Sequence, residues 1–130
     1  MLTKTILEKA VKNTNELGWK LSDIPLVAQD ALKNNLAILG GQVQYILPGA
    51  TCELYWVSAD PEIKKTGTWE EYVKLSHDVF IKKFSENVLS RDIKKEAVES
   101  FNILKQKDQE GVNIDDYQIF VMYFKEPRGV

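Results

Sequence analysis

The stretch that most constrains the fold is Leu36–Val57, LAILGGQVQYILPGATCELYWV. Two runs of period-two patterning flank Pro48–Gly49. In the first, Val43, Tyr45 and Leu47 alternate with Gln42, Gln44 and Ile46; in the second, Cys52, Leu54 and Trp56 alternate with Glu53, Tyr55 and Val57. Successive strand side chains point to opposite faces, so two such runs about a Pro-Gly pair predict an antiparallel hairpin. Pro then Gly suits a type II turn, whose second central residue takes a positive φ. That turn does not match the twist of a tight two-residue hairpin, so a longer, looser loop is expected. Ahead of the first run, Gly40–Gly41 marks a hinge or a point of close chain packing. A dinucleotide-binding loop would need G-x-G-x-x-G between a strand and a helix, and here the pair precedes a strand.

Helical spacing surrounds this block. Thr5-Ile-Leu-Glu8 has the form of a capping box, and Leu7, Ala10, Val11 and Thr14 continue it, predicting a helix from Thr5 to about Leu17 that ends at Gly18. Trp19 is expected to anchor the core. A second helix is predicted over Ile24–Asn35, with Ser22 or Asp23 as cap, Pro25 in the first turn, and Ile24, Val27, Ala28, Ala31 and Leu32 as its stripe. Thr68-Trp69-Glu70-Glu71 is another capping box. It opens a helix over Trp69–Val88, with Trp69, Tyr72, Val73, Ser76, Phe80, Phe84 and Val88 on one face and Leu75 and Val79 widening it. After a break at Ser90–Asp92, one more helix is predicted to about Lys107, with Ile93, Ala97, Phe101 and Leu104 inward. Asp108–Asp116 reads as an acidic loop. Tyr117–Phe124 is apolar on both faces, which predicts a central or well-covered strand able to pair with the hairpin; Pro127–Val130 reads as a frayed tail. Strands clustered between pairs of helices predict an α+β fold: a small antiparallel sheet of about three or more strands packed with about four helices, in a single domain over residues 1–130.

The composition is ordinary for a soluble globule, 44% hydrophobic and 28% charged. No secretory signal or membrane-spanning run is read from the sequence. The lone Cys52 gives no internal disulfide and suits a reducing, cytoplasmic setting. Charge is unevenly placed. Asp23–Glu62 holds five acids against Lys33 alone, and Asp108–Glu126 five acids against Lys125 alone, a net −4 in each. Residues 64–107 carry ten cations and seven acids. Were the two acidic segments to meet, they would repel nucleic acid and attract a basic partner.

Conventional chemistry is sparse. His77 is the only side chain of its kind titrating near neutrality. It could serve as a general base, but a triad also needs a nucleophile and an orienting acid; a structural or surface role is the plainer expectation. Cys52 alternates with Leu54 as a small inward hydrophobe would. Asp115–Asp116 with Glu110 offer hard oxygens but not the spacing of a calcium loop. No catalytic residue, metal site or cofactor is expected. Aromatics beside acids suit a protein interface, because rigid rings anchor and charges steer. The residues that fit are Glu53, Tyr55, Asp60, Glu62, Asp115 and Asp116, whereas Trp56 and Trp69 are expected in the core.

The run Ala31-Leu32 … Ala37-Ile38-Leu39-Gly40-Gly41-Gln42-Val43, the aromatic strand Leu54-Tyr55-Trp56, and Trp69-Glu70-Glu71-Tyr72-Val73-Lys74-Leu75-Ser76 resemble small immunity proteins of bacterial polymorphic toxin systems, in particular the immunity protein 40 family. The similarity covers about Trp19–Phe84. Gln42 stands where an acidic residue after the Gly pair would fit the family better. The resemblance implies binding without catalysis: the protein occupies a cognate toxin, basic at its contact surface, and neutralises it by occlusion. Neither nucleic acid nor membrane is an expected partner. Two other readings remain: a small-molecule-binding domain or enzyme using His77 with a nearby carboxylate, and a structural or regulatory subunit that self-associates through an open sheet edge.

Overall fold

A computed structural model describes residues 1–127; Arg128–Val130 of the expected tail lie outside the described residues. The elements are α1 (Lys4–Glu8), β1 (Val11–Asn13), β2 (Glu16–Trp19), α2 (Ile24–Lys33), β3 (Ala37–Leu47), β4 (Ala50–Ala59), α3 (Trp69–Lys83), α4 (Ile93–Ser100), α5 (Asn102–Gln109) and β5 (Gln118–Lys125). The strands form one antiparallel sheet in the order β1-β2-β5-β3-β4. The fold is α+β. β5 lies between β2 and β3, the central position its apolar pattern predicts.

The central hairpin forms with one difference from expectation. Leu47 pairs with Ala50, so the loop is only Pro48–Gly49, with Gly49 at φ +81°. The type II signature is there, but not the looser loop. Further along, β4 bulges: Val43 pairs with Leu54 and Gln42 with Ser58, leaving Tyr55–Val57 without partners. The bulge reverses which residues face inward. Cys52 and Leu54 are buried before it, Val57 and Ala59 after it, and Trp56 is only half-buried. The expected grouping of Cys52, Leu54 and Trp56 on one face therefore fails at its last member. Strict alternation cannot survive extra residues in one strand.

The glycine pair sits inside β3, which begins at Ala37. At Gly41 a Cβ would run into the Phe120 ring and the Val121 carbonyl. Close packing, not a hinge, is its role.

The N-terminal expectation is overturned. Only Lys4–Glu8 is helical, and the cap residue is Thr3, without a side-chain cap bond. Val11–Trp19 is instead a second hairpin that turns at Thr14–Asn15, between the paired Asn13 and Glu16. Val11, Asn13, Thr14 and Asn15 are all weak helix formers, and the strand edge offered by β5 outweighs the loose apolar spacing. Gly18 does not end a helix; it lies in β2, where its bare backbone makes room for the Ile119 side chain.

Every helix contributes to a core on one face of the sheet, and at the start of β3 Ala37 packs with Tyr72 and Val73 of α3 in a second, smaller cluster. Trp19, Val43, Tyr45, Leu47, Cys52, Leu54, Val57, Phe120 and Met122 meet Ile6, Val27, Ala28, Phe80, Phe84, Ala97 and Leu104 in one core cluster. Trp19 is fully buried and its indole N–H donates to the Ile6 carbonyl at 2.9 Å. The Thr68 capping box is formed at the start of α3. Tyr72, Val73, Ser76, Phe80, Phe84 and Val88 are buried as the spacing requires, but Leu75 is exposed. The last turn, Phe84–Leu89, widens into a π-helix; Phe84 stacks on Phe80 and meets Phe120 edge-on at 5.1 Å. The single helix expected to Lys107 is two helices, broken at Phe101, where the backbone is extended (φ −129°, ψ 114°). That break lets the Phe101 ring stack on Trp56. No helix of the described residues is long and apolar enough to cross a membrane.

Candidate functional site

Apart from the Ala37 end, where Tyr72 and Val73 of α3 pack, no helix among the described residues contributes to the second face of the sheet. It is built by the side chains that alternate with the core: Val11 and Asn13 from β1, Glu16 and Gly18 from β2, Ile119, Val121 and Tyr123 from β5, Gln42, Gln44 and Ile46 from β3, and Glu53 from β4, which pairs with Gln44. Ile119 and Val121 are nonetheless buried, and they belong to no core cluster. Polar side chains of the same face are joined to one another. The Gln44 amide nitrogen donates to Glu16 Oε1 at 3.4 Å and to Glu53 Oε1 at 3.3 Å. The Tyr123 hydroxyl donates to the other oxygen of Glu16.

The electrostatics of this face are one-sided. The Tyr123 hydroxyl is pushed up to about 12, by partial burial first, then by its bond to Glu16 and by the charges of Glu16, Glu53 and Asp60. All three carboxylates therefore act on one ring. Among the described residues, no carboxylate oxygen of Glu16, Glu53, Asp60 or Glu62 lies within 4.0 Å of a lysine, arginine or histidine nitrogen. Gln44 is fully buried, and its Oε1 has no hydrogen-bond partner among the described residues.

Of the six residues picked from the sequence, the structure groups four and separates two. Glu53 stands on the uncovered face opposite Gln44. Tyr55 projects from the β4 bulge, 72% exposed, edge-on to Trp56. Asp60 follows β4 directly, its carboxylate against Gly40, while Lys83 Nζ holds its main-chain carbonyl at 2.7 Å. Glu62 shares with Asp60 a cleft of 290 Å³ walled also by Ser58, Lys83, Glu86 and Asn87. Asp115 and Asp116 lie elsewhere. Asp115 accepts from Tyr45 Oη at 3.2 Å, and Tyr45 points into the helical core near the hairpin turn. Asp116 accepts from Asn113. Asp115 and Asp116 thus lie toward the hairpin-turn end of β3, away from Asp60 and Glu62, although β5 of the second acidic segment pairs along β3 of the first. Asp115 buttresses a core tyrosine whose hydroxyl is raised chiefly by burial.

Glu16, Gln44 and Tyr123 are absent from the sequence-based set. Glu16 fell within a helix that does not form. Gln44 was visible as a polar residue alternating with Val43 and Tyr45, and Tyr123 as the ring between Met122 and Phe124; only strand order brings them together.

Trp56 and Trp69 are half-buried, not core. Their indoles donate to Glu96 Oε1 at 3.0 Å and to the Asn35 carbonyl at 2.8 Å. His77 lies on α3 with Nδ1 3.0 Å from Asp78 Oδ1, and Lys74 binds the same carboxylate. The Lys74 and His77 bonds hold Asp78 below the usual carboxylate range. None of the clefts walled by Ser58–Asn87, Asp92–Asp108, Ile38–Tyr72 or Leu47–Tyr117 includes His77 in its lining. Cys52 is buried, and burial pushes its thiol up. No group of three or more His, Cys, Asp or Glu among the described residues is arranged to hold a metal ion.

Comparison with protein-family models, with curated proteins and with solved structures found no match.

Proposed function

We propose that this chain is a protein-binding module of the immunity type, which captures a basic surface of a cognate bacterial toxin and occludes it without catalysis. The observation that carries the reading is the sheet face with Glu16 and Glu53 upon it, Asp60 at its end, and none of the three carboxylates in an ion pair among the described residues. Unpaired like charges held close on a fixed scaffold raise the local potential and speed encounter with an oppositely charged partner. Tyr55 supplies an exposed ring at the margin, the kind of rigid anchor that interfaces favour. The resemblance of Trp19–Phe84 to immunity proteins supplies the partner class, and a reducing cytoplasm is the setting proposed for it.

The test is protection. The neighbouring gene's product is expressed in cells with and without this protein. Toxicity relieved by the wild-type chain, and not by Glu53→Lys or Asp60→Lys, is the expected outcome. A harmless neighbour that forms no complex with this protein would overturn the immunity reading. Protection undiminished by both reversals would move the interface off this face.

A further inference from the structure

The carboxylates of Glu16 and Glu53 come from strands that are not neighbours: β2 and β4 are separated by β5 and β3. Their Oε1 atoms nevertheless meet one and the same nitrogen, Gln44 Nε2. Two like charges are thus gathered over one buried amide. Its two contacts, 3.4 and 3.3 Å, are longer than the 2.7–3.2 Å usual for N–H···O bonds. The oxygen of the same amide is buried and has no partner among the described residues, a condition that costs free energy and calls for an explanation. A lysine or arginine of this chain in that position would have neutralised the pair permanently. A glutamine joins the carboxylates weakly and leaves their charge unspent.

Resting on the binding function above, we propose that Glu16, Gln44, Glu53 and Tyr123 form a socket for one basic side chain of the partner protein, with arginine preferred over lysine. A guanidinium presents donors in a planar fork and can serve two carboxylates at once, whereas an ammonium acts as a point charge. On arrival of the cation the Glu16 and Glu53 carboxylates pass from the weakly held Gln44 amide to the stronger donor. Tyr123 Oη keeps one oxygen of Glu16 occupied, which fixes the direction in which the other is presented. Charge complementarity selects the occupant.

The probe is Nα-acetyl-arginine amide, with Nα-acetyl-citrulline amide as its neutral counterpart of similar shape, titrated against the full chain while the Gln44 side-chain NH2 resonances are followed by NMR. A saturable shift with the arginine probe and none with citrulline is expected. Glu16→Gln and Glu53→Gln should each weaken the apparent affinity about tenfold or more, as loss of a charged hydrogen bond does. Both positions lie on the uncovered face, and the backbone spectrum of each variant reports that the fold is kept. Equal shifts from both probes, no shift at Gln44, or an affinity unchanged in the variants would each overturn the socket. Failure here is separable from failure of the binding function. A toxin partner that binds and is sensitive to Glu53→Lys while the arginine probe does not bind removes only the socket. A probe that binds where no protein partner exists removes only the immunity reading.

Discussion

Replacing Ser76 with alanine is expected to destabilise the protein far more than loss of one hydroxyl on a helix ordinarily does. β4 ends at Ala59 opposite Gly41, whereas β3 runs back to Ala37, so the outer edge of β3 extends beyond its partner. The Ile38 amide is met there by Ser76 Oγ, at 3.0 Å. Ser76 is fully buried, and its own proton goes to the Val73 carbonyl at 2.8 Å. In Ser76→Ala the Ile38 amide loses its acceptor in a place without water. An orphaned buried donor costs about 1–3 kcal/mol. The Val73 carbonyl remains in a helix and adds little. Against a total stability of about 5–15 kcal/mol this is a large share, and for a chain of this size it lowers Tm by about 4–12 °C. Urea unfolding followed by circular dichroism measures it, with an unchanged slope expected, and hydrogen exchange at Ile38 should quicken selectively. Ser90→Ala is the control. Ser90 Oγ also bonds a carbonyl, that of Glu86 at 2.6 Å, but on an exposed helix end, so its loss should stay within about 0.5 kcal/mol. A Ser76→Ala variant as stable as Ser90→Ala would refute the reasoning.

Other expectations follow from the same geometry. Gly41→Ala forces a methyl group against the Phe120 ring and the Val121 carbonyl and should cost about 1–3 kcal/mol or more in urea unfolding. Thr14, a β-branched residue at φ +59° in the β1–β2 turn, is held where L side chains are strained; Thr14→Gly should raise stability by about 0.5–1 kcal/mol, read as a higher unfolding midpoint. The Tyr123 hydroxyl titrates higher folded than unfolded. Its contribution is therefore complete below about pH 10, the ordinary tyrosine value, and is lost as pH rises through about 12. Tyr123→Phe should flatten the fall in stability across that window, and Glu16→Gln should bring the hydroxyl nearer its ordinary value in an absorbance titration.

The hairpin, the glycine packing point, α2, the Thr68 capping box and the central strand were legible because each depends on local rules: alternation, caps and turn residues. The N-terminal hairpin was not. Its turn residue Thr14 gives no Gly or Asn signal at the strained position, and its strands are stabilised by β5, about a hundred residues away in sequence. The inward face of β4 was misread beyond Leu54 because a bulge leaves no mark in composition. For the candidate site, Glu53, Tyr55, Asp60 and Glu62 were found as acids and a ring beside a strand. Asp115 and Asp116 were drawn in by charge alone, and strand order places them at the other end of β3. Glu16 and Tyr123 could be joined only by the β2–β5 pairing, which the sequence reading did not contain.

The central claim is that the uncovered sheet face receives a basic partner. Calorimetric titration of this protein with the neighbouring gene's product, at low and at high salt, tests it most directly when repeated with Glu16→Lys/Glu53→Lys and with Asp115→Asn/Asp116→Asn. The account expects a 1:1 complex that weakens with salt, is lost with the first pair of substitutions, and keeps its affinity with the second once folding is verified. A complex indifferent to salt and to the first pair, or abolished by the second alone, would contradict it.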